Sequence, residues 1–113
     1  MAQDCLFCKI FAREIPAKEV FRDDEIVAFE DIRPVAPVHV LVIPKRHVAA
    51  MNELQDSALL GRLFHVANLV AQKKGIAVSG YRVVANTGRD GGQSVFHLHL
   101  HVLGGRQMNW PPG

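Results

Sequence analysis

Apolar positions along the first half of the chain change period several times. Leu6, Phe7, Ile10 and Phe11 recur at close to helical spacing and Ile15-Pro16 closes the segment, which predicts a short helix over Leu6 to Glu14. Val20-Phe21 and Ile26-Val27-Ala28-Phe29, separated by the polar Arg22-Asp23-Asp24-Glu25, predict two strands joined by a turn. Pro34 and Pro37 forbid a central strand between Asp31 and Pro37, whereas His39-Val40-Leu41-Val42-Ile43 is rich in β-formers and is closed by Pro44.

Between Asp56 and Lys74 the period becomes 3.6. Leu59, Leu63, Val66 and Val70 form a stripe, Asp56 or Ser57 can cap the start, and Lys73-Lys74-Gly75 supplies a stop. Leu60, Phe64 and Leu69 flank the stripe and widen the apolar arc to roughly 220°, interrupted by Arg62, where about 100° covers one core. The surplus predicts that this long helix also meets a second subunit. His65 falls on the polar side and reads as a surface residue.

Tyr81 to Thr87 is another β-rich run, Gly88 to Gln93 a glycine-rich loop, and Val95 to Leu103 alternates again before Gly104-Gly105. Strands separated by one helix without regular βαβ alternation predict an α+β fold: a mainly antiparallel sheet with one short and one long helix. The 113 residues leave room for one domain spanning 1–113, with an extended, proline-containing tail over 104–113. The 49% hydrophobic and 21% charged fractions exclude disorder, and a net charge of +2 gives no footprint for nucleic acid or an anionic membrane. The chain has no apolar run of about 18 residues and no signal-like start, so a cytoplasmic location is expected.

Six histidines and two cysteines carry the candidate chemistry. Cys5 and Cys8, two residues apart, read as metal ligation or redox chemistry in a reducing compartment. In Phe96-His97-Leu98-His99-Leu100-His101-Val102-Leu103, strand alternation puts His97, His99 and His101 on one face at intervals of about 6.6 Å, with Leu98, Leu100 and Val102 facing the core. Such a row can bind a catalytic metal or supply a nucleophile with neighbours that set its tautomer. The preceding Thr87-Gly88-Arg89-Asp90-Gly91-Gly92-Gln93-Ser94 favours the second reading, because its backbone N–H groups can turn toward a phosphate.

His97-Leu98-His99-Leu100-His101-Val102-Leu103 resembles the His-φ-His-φ-His-φ-φ signature of the histidine triad (HIT) superfamily, φ being apolar. Asp31-Ile32-Arg33-Pro34, Pro37-Val38-His39, Gly91-Gly92-Gln93-Ser94, Leu103-Gly104-Gly105-Arg106-Gln107-Met108 and Trp110-Pro111-Pro112-Gly113 extend the likeness to its nucleotide-binding (Hint) branch over essentially the whole chain. The resemblance implies a HIT-like, dimer-forming fold and cleavage of the P–N bond of purine nucleoside 5'-phosphoramidates. His99 would be the nucleophile, forming a nucleotidyl-histidine that water resolves. His101 and the backbone around Gly92, Gln93 and Ser94 would hold the phosphate oxygens, with the Ser94 hydroxyl near the leaving group.

By the same resemblance His39 lies behind the triad, hydrogen-bonded toward His97 in a relay. Asp31 takes the ribose hydroxyls, Phe7, Ile10, Phe29 and Ile32 form the apolar base pocket, and Asn86 lies near the phosphate. Trp110 would reach a partner's active site across a homodimer interface. Asn109 departs from the histidine of close relatives, a difference that bears on the leaving group. Cys5, Cys8, His47 and His97 match a zinc set found in some branches, which implies a structural zinc and no catalytic cofactor; His97 would then be a ligand in place of a relay member. The implied partners are a purine nucleotide such as AMP or GMP and a second copy of the chain. Two other readings of the pocket are a nucleotide-binding regulatory module with incidental hydrolysis and a dinucleoside polyphosphate hydrolase.

Overall fold

The computed structural model describes residues 4–113; residues 1–3, part of the start read above for a targeting signal, lie outside the described residues. The elements are α1 (Leu6–Phe11), β1 (Glu19–Arg22), β2 (Ile26–Glu30), β3 (Val38–Pro44), a 3-10 turn (Met51–Glu53), α2 (Ser57–Lys73), β4 (Tyr81–Val84) and β5 (Leu100–Gly104). All strand pairs are antiparallel, in the order β1-β2-β3-β5-β4. The expected α+β class with one short and one long helix is what the chain forms.

Local chemistry explains the boundaries. The Asp23 carboxylate accepts from the N–H groups of Glu25 and Ile26, both at 2.8 Å, which makes the β1–β2 turn an Asx turn. Arg62 of α2 pairs with Asp23 and Glu25, so the one cation inside the helix's apolar arc clamps that turn onto the helix. Asp56 caps α2 by accepting from the Leu59 N–H at 3.1 Å, and the chain leaves the helix at Gly75 with φ +75°. The first helix ends at Phe11, short of the expected Glu14, because the chain turns left-handed at Arg13 (φ 60°).

Both faces of the sheet are covered. On one face, Ile26, Ala28, Val40, Val42, Leu100 and Val102 pack against Leu59, Leu63, Val66 and Val70 of α2. On the other, Val27, Phe29, Leu41 and Ile43 pack against Phe7 and Ile10 of α1. The central β3 is therefore buried on both sides, the physical reason for its unbroken Val-Leu-Val-Ile run. β5 departs from the expected strand over Val95 to Leu103: pairing begins only at Leu100. The preceding segment is pulled off the ladder by the Leu98 N–H, which donates to the Val48 carbonyl at 2.8 Å, and by the His97 ring, held at the end of β3. Likewise β4 stops at Val84, before the expected Thr87.

Candidate active site and metal cluster

The site lies on the α1 face of the sheet. His39 of β3 and His101 of β5 sit at diagonally related ladder positions, since His39 pairs with Leu103 and Leu41 with His101. The His39 Nδ1 accepts the N–H of Val35 at 3.1 Å, so the single proton of the neutral ring must sit on Nε2. That Nε2–H donates to the His101 Nδ1 at 2.9 Å, which in turn places the His101 proton on its own Nε2. Asp31, just past β2, brings its Oδ2 to 3.3 Å from the His39 Nε2 while its Oδ1 accepts from the Arg33 N–H at 2.8 Å. Although Asp31, His39 and His101 could group around a cation by proximity, the Val35 N–H keeps the His39 Nε2 protonated, and His39 and His101 form a hydrogen-bonded relay beside the Asp31 carboxylate.

His99 stands between these groups and α1. Its Nδ1–H donates to the carbonyl of His97 at 2.8 Å, leaving a bare lone pair on Nε2. The ring lies edge-on to Phe7 at 5.1 Å between centroids and 4.9 Å from His101, and the residue is only 6% exposed. Burial lowers the pKa of His99 and of His39, and pushes His101 down to about 4 with help from its neighbours His99 and His39. All three rings are neutral at pH 7. A buried, neutral imidazole with a fixed tautomer is a competent nucleophile beside a second ring that presents an N–H.

The other imidazole of the triad faces elsewhere. His97 is fully buried, and its Nε2–H donates to the Pro44 carbonyl at 2.8 Å. Its Nδ1 faces Cys5 Sγ at 3.3 Å, Cys8 Sγ at 3.5 Å and His47 Nδ1 at 3.2 Å, and Cys8 Sγ lies 3.4 Å from His47 Nδ1. With zinc–sulfur bonds of about 2.3 Å and zinc–nitrogen bonds of about 2.0 Å, a tetrahedron has sulfur–nitrogen edges of about 3.5 Å and nitrogen–nitrogen edges of about 3.3 Å. These four separations match the edges of such a tetrahedron, and all four donor atoms lie within 4.8 Å of one another. The Pro44 carbonyl supplies the outer hydrogen bond that orients a ligating histidine. Without a cation, burial and then the neighbouring Cys5 push the Cys8 thiol up to about 11, so metal binding would have to displace its proton.

The loop before the triad is built by its glycines. Gly88 and Gly92 have φ of +72° and +78°, and a Cβ on Gly91 would meet the Thr87 carbonyl oxygen at 2.4 Å. Gln93 staples the loop from inside: its Oε1 accepts from the Gly88 N–H, and its amide donates to the carbonyls of Ala49 and Val95.

The HIT domain family matches residues 12–108. The chain belongs to the HIT family. It is 54% identical to a solved HIT family hydrolase from Legionella pneumophila Philadelphia 1, over 97% of this chain and 100% of that one, with a TM-score of 0.94. It is 48% identical to adenylylsulfatase HINT1 of Arabidopsis thaliana, over 96% of this chain and 76% of that protein, which puts it in the Hint branch. It is also 47% identical to a 14 kDa zinc-binding protein of Brassica juncea, over 97% and 100% of the two chains.

In this HIT chain the expected site residues fall into separate groups. Cys5, Cys8, His47 and His97 converge as one cluster, and Asp31, His39 and His101 as another. The relay expected from His39 to His97 runs instead to His101, because β3 and β5 are ladder partners at that level while His97 lies beyond the start of β5. Phe7, Ile10 and Phe29 are buried in the α1-side core, and Ile32 stands 92% exposed beside Asp31. The loop commits the N–H groups of Gly92 and Gln93 to the carbonyls of Arg89 and Gly88, and Ser94 lies exposed beside them. Asn86 lines a cleft of about 600 Å³ with Arg82, Arg106, Met108 and Pro111, on the side of the tail. Trp110 is 82% exposed in that tail. The groups that sequence reasoning missed act through their backbones: the N–H of Val35 and the carbonyls of His97 and Pro44 fix three rings. A side-chain pattern carries no signal for them.

Proposed function

We propose that the protein is a purine nucleoside phosphoramidase that works through a nucleotidyl-His99 intermediate. The observation that carries this reading is the hydrogen bond from His99 Nδ1–H to the His97 carbonyl, which bares Nε2 for in-line attack. In the first step Nε2 bonds to the α-phosphorus, the P–N bond breaks, and the amine departs with a proton that solvent supplies through the Ser94 hydroxyl and that the water attacking in the second step returns. Once Nε2 carries the phosphoryl group the ring becomes cationic, and the same Nδ1–H···O=C bond strengthens by charge assistance. Water then attacks phosphorus, releasing the nucleoside monophosphate and returning the neutral ring. His101, its proton set on Nε2 by His39, donates to the nonbridging oxygens through both steps.

Asp31 retains lone pairs for the ribose hydroxyls, and exposed Ile32 beside it offers an apolar contact for the base. The name of the Arabidopsis relative supports a second leaving group, the sulfate of an adenylyl sulfate. That reading shares the adenylyl transfer and differs only at the departing atom. The donor geometry and the name of the Brassica relative support a structural zinc at Cys5, Cys8, His47 and His97. Bound there, zinc supplies a cross-link between α1 and the triad segment. We also take the chain as a single domain over 1–113 acting as a homodimer, with the 104–113 tail and Trp110 near the interface.

Steady-state turnover of an adenosine phosphoramidate by the native protein and by His99→Ala tests the reading. The native protein should turn over and the variant should lose at least about 10³-fold while still binding AMP. Equal inactivity of the two, with both binding AMP, would leave a nucleotide-binding module instead. Preference for dinucleoside polyphosphates over the phosphoramidate would favour a polyphosphate hydrolase.

A further inference from the structure

We propose that Arg106 is a positioning residue for the His39–His101 relay, acting through the peptide of Val35. This rests on the reading of the triad given above. Val35 is held on both sides of its backbone: its N–H donates to the His39 Nδ1 at 3.1 Å, and its carbonyl accepts from the Arg106 Nη2 at 3.1 Å. The second arm of the guanidinium, Nη1, donates to the Gln107 carbonyl at 3.1 Å, which ties the start of the tail to the same point. Among the described residues Arg106 has no carboxylate partner, so the fork is spent on carbonyls.

Upstream of Val35 the segment is anchored by the Arg33 N–H, which donates to the Asp31 Oδ1 at 2.8 Å. Residues 32–35 are all exposed, and within 32–37 only Ala36 is buried. Its remaining contact from the tail comes from Gly105, whose φ of +90° lets the backbone lie against Pro37 where a Cβ would approach to 2.8 Å. The Val35 peptide therefore keeps its aim because Arg106 and Gly105 hold it from the β5 side. That aim, with the Asp31 Oδ2 at 3.3 Å from the His39 Nε2, holds the His39 proton on Nε2. If the Val35 N–H drifts off the His39 Nδ1, the His39 proton can move to Nδ1, and the bare Nε2 then faces the His101 Nδ1. His101 must in turn carry its proton on Nδ1, and its Nε2 loses the N–H that faces the phosphate. A contact at the root of the tail thus governs which nitrogen of His101 is a donor, with no side chain of that contact touching substrate.

The test uses the full chain as purified, and reads ring nitrogens and turnover together. Long-range proton–nitrogen correlation in histidine-labelled protein should show His39 protonated on Nε2 alone in the native chain. Arg106→Met should shift both His39 ring nitrogens toward averaged values and lower kcat for the adenosine phosphoramidate by about three- to tenfold, with KM within about twofold. Arg106→Lys, which restores a charged donor, should recover most of both effects and serves as a second folded variant. An unchanged His39 signature in Arg106→Met overturns the proposal whatever the rate does, and so does a shifted signature with kcat unchanged. If the native chain does not turn the substrate over, the phosphoramidase reading fails, while the ring-nitrogen comparison still decides whether Arg106 positions the relay.

Discussion

Three imidazoles that look equivalent in a His-Leu-His-Leu-His run acquire different jobs from single hydrogen bonds. His97 donates its Nε2–H to the Pro44 carbonyl and turns Nδ1 to two thiols and His47; His99 donates its Nδ1–H to the His97 carbonyl; His101 accepts at Nδ1 the Nε2–H of His39. The identity and spacing of these residues were legible in the sequence, and so was the cysteine pair. Their tautomers were not, because each is fixed by a backbone group or by a ring from another strand. Burial also sets a pH dependence. His101 is held at about 4 against its usual 6.5, so between those values the unfolded chain binds a proton that the folded chain does not. That contribution to stability is complete above pH 6.5 and is lost as the pH falls toward about 4. Urea midpoints stepped from neutral pH down through this window should decline steadily, and a flat profile would contradict the assignment.

At the scale of elements, apolar periodicity located α2, the β1–β2 hairpin and β3 to within a residue or two. It overextended β5, because alternation fits any extended segment and cannot see the Val48 and Pro44 carbonyls that draw residues 97 and 98 away from the ladder. The four-donor cluster joins three places: α1 through Cys5 and Cys8, the turn after β3 through His47, and the approach to β5 through His97; the last two are also tied by the Leu98 N–H on the Val48 carbonyl, whereas α1 meets them through packing of Phe7. A helix of six residues is too short to persist on its own. Metal analysis of protein purified without added zinc should therefore find about one zinc per chain, and Cys8→Ser should lose it. Amide exchange over residues 6–11 should speed up in that variant. No zinc in the parent protein, or unchanged exchange on its loss, would rule out the cross-link.

The whole molecule leaves one side unfinished. The apolar arc of α2 exceeds what the core covers: Leu60 and Leu69 are half-buried and Phe64 remains 40% exposed. The edge strand β4 and the tail frame two clefts, of about 520 and 600 Å³, which share Arg82, Arg106 and Met108. The excess was legible as a too-wide helical stripe, but the clefts were not, since they form only where the tail passes β4. Sedimentation at micromolar concentration should give twice the chain mass, and a monomer would remove the partner from the site.

The central claim is that the protein passes a nucleotidyl group through His99. Rapidly quenched reaction mixtures with an adenosine phosphoramidate, analysed by intact mass and peptide mapping, test it most directly. The account predicts a transient adenylyl adduct on the peptide containing His99, bonded to the imidazole Nε2 and missing in His99→Ala. Full turnover with no such adduct, or an adduct on any other residue, would contradict it.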